Sequence, residues 1–323
     1  MVKKVWAVSL VLVLGVGLGL QTYSASAASK YKGMCPTYNF PDLSQSVGAG
    51  NGYAKPYLYI ACTTTEVIVT SNGMPSFPFV KMTPNSLKAQ SWVWRIPLVP
   101  KVASKTTSIK NVLGTLGLTV SGLPIYGPTE GPQPASEAYG DPVYNKIVDS
   151  CGGHTGPASE YHQHAITLLA ACNLSQQTIV GYALDGFPIY TNVGCTDTDC
   201  SDTVKLVSGY TLTGNPKTNS WDAYTYVKSD KANVLDECNG RVEPDGTYGY
   251  HITNTFPYVI GCFRGTPTVQ EGKTGAPMPL MAPEKKTDSM STFSAKKTDN
   301  TVTRKKSATP TPTPSPKPTK KKP

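Results

Sequence analysis

The chain has 323 residues, eight cysteines and a formal net charge of +9. That charge sits at the ends. Residues 284–323 carry 11 Lys/Arg against 3 Asp/Glu, whereas Ala28–Pro283 holds 17 basic and 18 acidic residues. The central region has no basic excess to neutralise phosphates, which argues against a nucleic-acid partner.

In chain order, Lys3 and Lys4 precede an apolar run, Val5–Leu20, and then the small-x-small pattern Ala25-Ser26-Ala27. This is the layout of a signal peptide over residues 1–27. An uncleaved anchor is the rival reading, but a run of this length falls short of the roughly 20 residues that span a bilayer. No later segment is apolar enough to span, so no transmembrane segment is expected after cleavage.

Residues 28–283 then read as one domain. Strands are expected at Tyr57–Ile60, Glu66–Thr70, Trp92–Val99, Leu116–Val120 and Thr178–Leu184, which are short, β-branched or aromatic and end in turn residues. Tyr161–Ala171 fits a strand or a short helix, and no segment sustains a 3.6-residue period. With 29 Gly and 28 Pro, the expected class is a mainly β, loop-rich, disulfide-braced single domain. All eight cysteines fall within it, and an even count in an exported chain implies up to four disulfides. Cys195 and Cys200 are close enough to staple one loop; the other pairings stay open. No CxxC pair occurs, so a cysteine metal site is disfavoured.

From Glu284 the chain has few bulky apolar residues and ends in TPTPTPSPKPTKKKP. Such a segment cannot bury enough surface to offset its ordering entropy, so residues 284–323 are expected to be a disordered tail. Its charge suits an anionic cell-surface polymer, or serves solubility alone.

The central domain contains an internal repeat. Asp149 and the block Cys151–His164 align without a gap on Asp236 and Cys238–His251, with Cys, Gly, Pro, Tyr and the last His at matching offsets. Each block leads to a further cysteine (Cys172, Cys262), defining units 149–172 and 236–262. Each is preceded by a Gly-Φ-Pro-Ile-Tyr turn, at Gly122–Tyr126 and Gly186–Tyr190. Two degenerate copies of one loop-and-strand unit are expected.

On these residues the chain resembles the YHYH-motif family, which is named for a Tyr-His-Tyr-His string following a Cys-x-Gly-His turn. The resemblance is carried by YHQH at Tyr161–His164, by GYALDGFPIY and LDECNG, and by FPYVIGCFRG at Phe256–Gly265. Gln163 replaces the second Tyr, and Arg241 and Gly249 stand where the family has His. These departures put in question any role needing histidines from both copies. The resemblance implies a fold neighbourhood and no specific reaction.

All four histidines (His154, His162, His164 and His251) lie in the repeated blocks. On a strand, residues two apart share a face, so His162 and His164 project together. His154, one turn earlier, and His251, from the second copy if the two pack face to face, would complete a set of imidazoles suited to zinc or copper. An open coordination position would make the site a metal-dependent hydrolase or oxidase. The rival is a non-catalytic extracellular binding module whose histidines satisfy loop backbone groups. Asp149, Asp185, Asp236 and Tyr161 are candidates to support a ligand histidine, although an Asp before Gly, as at Asp185, is more often turn chemistry. Arg241 is expected to pair with Glu243. Nucleotide and organic-cofactor fingerprints are absent.

Overall fold

The computed structural model describes residues 33–110, 112–131, 140–172 and 178–268. The expected signal peptide (1–27) and basic tail (284–323) lie outside the described residues. The fold is mainly β, with one α-helical turn, α1 (Ser220–Ala223), and one 3₁₀ turn (Thr37–Asn39) among the described residues. None of their helices is long and apolar enough to cross a membrane.

Three strands come first: β1 (Leu58–Cys62), β2 (Glu66–Ser71) and β3 (Trp92–Pro97), antiparallel in that order. Strict alternation in β2 buries Val67 and Val69 on one face, and β3 buries Trp92, Trp94 and Ile96 on the same side. The two indoles stack with centroids 5.5 Å apart.

The main sheet has eight strands. Its members are β5 (Thr115–Thr119), β6 (Pro124–Tyr126), β7 (Gly153–Thr155) and β8 (Tyr161–Gln163), followed by β9 (Ile179–Ala183), β10 (Pro188–Tyr190), β15 (Gly240–Val242) and β16 (Tyr248–His251). Their spatial order is β15-β16-β10-β9-β5-β6-β8-β7. Read outward from the central antiparallel pair β5/β9, both sides have the same pattern: an antiparallel return, a parallel neighbour, then an antiparallel hairpin partner. Each Gly-Φ-Pro-Ile-Tyr element is therefore a hairpin turn whose second strand runs parallel to the histidine-bearing strand. Thr115–Thr119 is buried throughout, as befits a central strand covered on both faces.

The three-stranded sheet lies across both turns. Gly122 and Gly186 have φ of +78° and +86°. A Cβ on Gly122 would collide with Ser71 and Leu58, and one on Gly186 with Pro97. Glycine is needed at both places for the backbone conformation and for the close approach. One cluster of buried side chains spans this contact, from Val67, Trp94 and Ile96 to Leu118, Ile125 and Ile189.

The four disulfides are Cys35–Cys62, Cys151–Cys172, Cys195–Cys200 and Cys238–Cys262. Two of them join each hairpin block to the cysteine that follows it. The last carries the chain into β17 (Cys262–Gly265), which pairs with β4 (Val102–Ser108), while two small hairpins, β11 (Val193–Cys195) with β12 (Thr203–Lys205) and β13 (Tyr210–Leu212) with β14 (Tyr224–Tyr226), fall between β10 and β15 in the chain. The expected strands are all present. In Tyr161–Ala171 only Tyr161–Gln163 is strand, and no helix forms there.

Candidate metal centre

The β7–β8 hairpin builds the site. Within it His154 pairs directly with His162, and directly opposed residues have neighbouring side chains on one face. His164 lies two residues beyond His162, on that same face. A cross-strand pair plus its i+2 neighbour makes a triangle of imidazoles, with ring centroids 4.7, 4.8 and 5.0 Å apart.

The ring nitrogens converge further than the centroids do. The Nε2 of His162 lies 3.0 Å from that of His164, which lies 3.2 Å from that of His154. Glu130 Oε2 stands 2.9 Å from His154 Nε2 and 3.4 Å from His164 Nε2. A tetrahedral ion with ligands at about 2.0–2.1 Å sets ligand–ligand separations of about 3.3–3.4 Å, and these four distances fall close to that edge. The group Glu130, His154, His162 and His164 can hold a metal ion, with its donor atoms all within 4.8 Å of one another.

Outward-facing atoms fix the tautomers. His154 Nδ1 lies 2.8 Å from the Ile147 carbonyl oxygen, and His164 Nδ1 lies 2.6 Å from that of Gly127. A carbonyl can only accept, so both rings carry their proton on Nδ1 and direct the Nε2 lone pair inward. The Gly127 carbonyl is in place because β6 runs parallel to β8, with Ile125 opposite Gln163.

The three histidine side chains are 1–3 % exposed, while Glu130 is 26 % exposed. Burial alone would raise the Glu130 carboxyl. Without a cation, proton uptake by His154 and His164 would supply the opposing charge and hold the group well below the usual carboxylate range. Even so, its buried Oε2 finds no well-aligned donor despite two ring nitrogens nearby. The oxygen faces the same point as the ring lone pairs, where a shared cation would bind it. Burial, followed by the neighbouring His164 and His154, pushes His162 well below its ordinary value, so its imidazole is neutral and available as a ligand. Tyr126 stacks on it at 3.9 Å.

His251 does not join this group, contrary to the expectation from the repeat. The two hairpins sit near opposite edges of the eight-stranded sheet, and β16 and β8 are five strand spacings apart, on the order of 24 Å. The second hairpin copies the backbone of the first. His251 Nδ1 meets the Thr191 carbonyl oxygen at 2.7 Å, just as His164 meets Gly127. The chemistry there has changed. Arg241, the counterpart of His154, donates to both carboxylate oxygens of Glu243 at 2.9 and 2.6 Å. His251 Nε2 lies 2.6 Å from Glu243 Oε1. A guanidinium–carboxylate–imidazole chain thus occupies the position of the metal group. Gly249 stands where the first copy has His162, and a Cβ there would strike the Tyr190 ring.

The carboxylates expected to support a ligand do other work. Asp149 Oδ1 accepts from the Cys151 and Gly153 amides, and both its oxygens accept from the Tyr161 hydroxyl at 3.0 and 2.9 Å. Asp236 repeats this with Cys238, Gly240 and Tyr248. These two anchor the hairpin turns, and none of their hydrogen bonds goes to a histidine. Tyr161 packs edge-on to Phe77 and Phe79, on the side away from the imidazoles. Asp185 accepts from the Phe187 amide within its turn, and from the Tyr250 hydroxyl and the Gly265 amide.

Sequence reasoning missed Glu130 and a second acid, Glu160. The latter is 1 % exposed, with Oε1 3.8 Å from His162 Nδ1. Burial raises its pKa, partly offset by the amides of Glu160 itself and Ala158. A second group, Glu237, Cys238 and Cys262, also brings ligand atoms together. Its cysteines are joined to each other, so it offers no thiolate. A separate cleft of about 280 Å³, lined by residues such as Tyr38, Ile96, Phe187 and Tyr248, includes none of the four donors.

Fold and site together define a disulfide-braced β protein with a buried three-histidine, one-glutamate cluster. The YHYH protein family matches residues 93–265, so the chain belongs to that family. No curated protein and no solved structure matches it.

Proposed function

We propose that this chain is an exported protein that holds one divalent transition-metal ion, zinc or copper, through His154, His162, His164 and Glu130. One observation carries the reading: three buried Nε2 atoms and a carboxylate oxygen lie within 4.8 Å of one another, four of their separations being 2.9–3.4 Å, with two of the rings pinned from behind by backbone carbonyls. Histidines serving only to satisfy loop backbone would each bond outward and have no reason to meet. Imidazole with one carboxylate suits the borderline ions.

A fourth protein ligand and burial of all three rings favour retention of the ion over turnover. Glu130, the one ligand whose side chain is partly exposed although its Oε2 is buried, is the side from which a water or substrate would enter. Export is supported by the four disulfides, which persist in oxidising compartments. The basic tail would then tether the domain to an anionic surface polymer.

Elemental analysis of the purified domain tests the reading. One equivalent of zinc or copper is expected in the wild type and none in His162→Ala/His164→Ala. Equal, negligible metal in both would leave the histidines a structural role.

A further inference from the structure

We propose that Glu160 is a positioning residue of the metal centre: it accepts the Nδ1–H of His162 and, with Glu130, supplies the second negative charge that matches the site to a divalent ion. The inference rests on the metal reading above and adds a residue and a charge preference to it.

Three observations support it. First, carboxylates are almost never fully buried unless paired. Glu160 is 1 % exposed, and none of the ion pairs among the described residues joins it to a Lys or Arg. Its Oε2 is buried without a hydrogen-bond partner, and so is His162 Nδ1.

Second, the three rings are treated unequally in a way that Glu160 resolves. His154 and His164 each have a backbone carbonyl behind Nδ1. His162 has only Glu160, 3.8 Å away. A ligand histidine is ordinarily oriented by an acceptor at its far nitrogen, often a carboxylate. A shift of less than about 1 Å in a flexible side chain brings this pair to hydrogen-bond distance.

Third, the second hairpin is an internal control. It keeps the turn, the Asp–Tyr anchor and the backbone bonds, yet it has Thr247 at the position of Glu160 and Gly249 at the position of His162. The hairpin therefore folds without a carboxylate there, and acid and imidazole are absent together. In the first copy Gly156 gives Glu160 its space, since a Cβ on Gly156 would run into the carboxylate. The second copy has Glu243 at that place.

Charge follows from this inventory. Three neutral imidazoles, two carboxylates and a divalent ion sum to zero. A monovalent ion such as Cu⁺ would leave a net negative charge in a buried site, which is costly.

The test uses Glu160→Gln and Glu160→Asp in the full mature chain. Zn²⁺ and Cu²⁺ affinities are measured by competition with a chromophoric chelator, Cu⁺ affinity under anaerobic conditions, and folding by circular dichroism. Glu160→Gln should keep its fold and one site but bind the divalent ions about 10–100-fold more weakly. Cu⁺ should be affected less, so the Cu²⁺/Cu⁺ potential rises, and Glu160→Asp should recover part of the loss. Imidazole ¹⁵N–¹H spectra of the zinc-loaded wild type give a readout that needs no variant. All three rings should be protonated at Nδ1, with the His162 proton shifted downfield by a carboxylate bond. Unchanged divalent affinity and potential in Glu160→Gln, or His162 protonated at Nε2, would overturn the assignment of Glu160 while leaving metal binding intact. A wild type that binds no metal would instead remove the reading on which it rests.

Discussion

Chelation should lower the stability of the folded domain by an amount set by the ion's affinity. The four donors come from Glu130, at the start of one loop, and from both strands of a hairpin up to 34 residues further on. An unfolded chain keeps only the local His162-x-His164 pair, so the ion binds the native state far more tightly. Free ion at 100 times its Kd then stabilises the fold by about 2.7 kcal/mol, and at 1,000 times by about 4.1 kcal/mol. A domain of this size responds with roughly 2–4 °C in Tm per kcal/mol. The expected shift is therefore about 5–11 °C at the lower excess and about 8–16 °C at the higher. Removal also leaves His164 Nε2 facing those of His162 and His154 at 3.0 and 3.2 Å, with too few protons to bridge them. The assay is thermal unfolding followed by circular dichroism, in chelator and then in graded Zn²⁺ or Cu²⁺, for the wild type and His154→Gln. The wild type should climb with ion concentration, while the variant, left with three of the four donors, should need far more ion for the same climb. A wild-type Tm indifferent to both chelator and ion, or an equal climb in His154→Gln, would refute the reasoning.

Three further outcomes follow from the geometry. His251→Ala should retain one metal equivalent yet lose about 1–3 kcal/mol in urea unfolding, because Glu243 is left buried with one donor fewer; loss of metal would contradict the separation of the two hairpins. Burial would raise the Glu243 carboxyl, but bonds and charge from His251 and Arg241 outweigh it and hold it below the ordinary value. A depressed folded pKa means stability that is complete above the unfolded value of about 4.3 and fades as pH falls through the folded value. The advantage of the wild type over Glu243→Gln, measured as unfolding midpoints at pH 7, 4 and 3, should shrink across that range; a constant difference would contradict it. Asp149→Ala strands the Cys151 and Gly153 amides and the Tyr161 hydroxyl, so it should cost about 1–3 kcal/mol for each donor left buried; an unfolding midpoint equal to the wild type's would count against the anchoring role.

Much of the fold was readable from local pattern. Glu66–Thr70 and Trp92–Val99 alternate as half-buried strands do, and they became β2 and β3. The disulfide pairing of each block with its own trailing cysteine was left open by the sequence, and the structure makes it in both copies. What local pattern could not supply was the arrangement of the two copies. Face-to-face packing and edge-to-edge separation are equally compatible with a duplicated hairpin, and only the central β5/β9 pairing decides between them. His251 was misplaced for that reason. Glu130 lies outside the repeat, in a stretch without periodicity, and reaches the site only because β6 runs beside β8. Glu160 was within reach of the reasoning applied to His162 and His164. The same two-residue alternation that puts those rings on one face continues back to it.

One ion is proposed to sit among three Nε2 atoms and the Glu130 carboxylate, and X-ray absorption at the metal edge of the loaded domain reads that coordination shell. Three imidazole nitrogens and one oxygen are expected at about 2.0–2.1 Å, with the imidazole signal falling by one ring in His154→Gln. A first shell of oxygens alone, or one unaltered by that substitution, would contradict it.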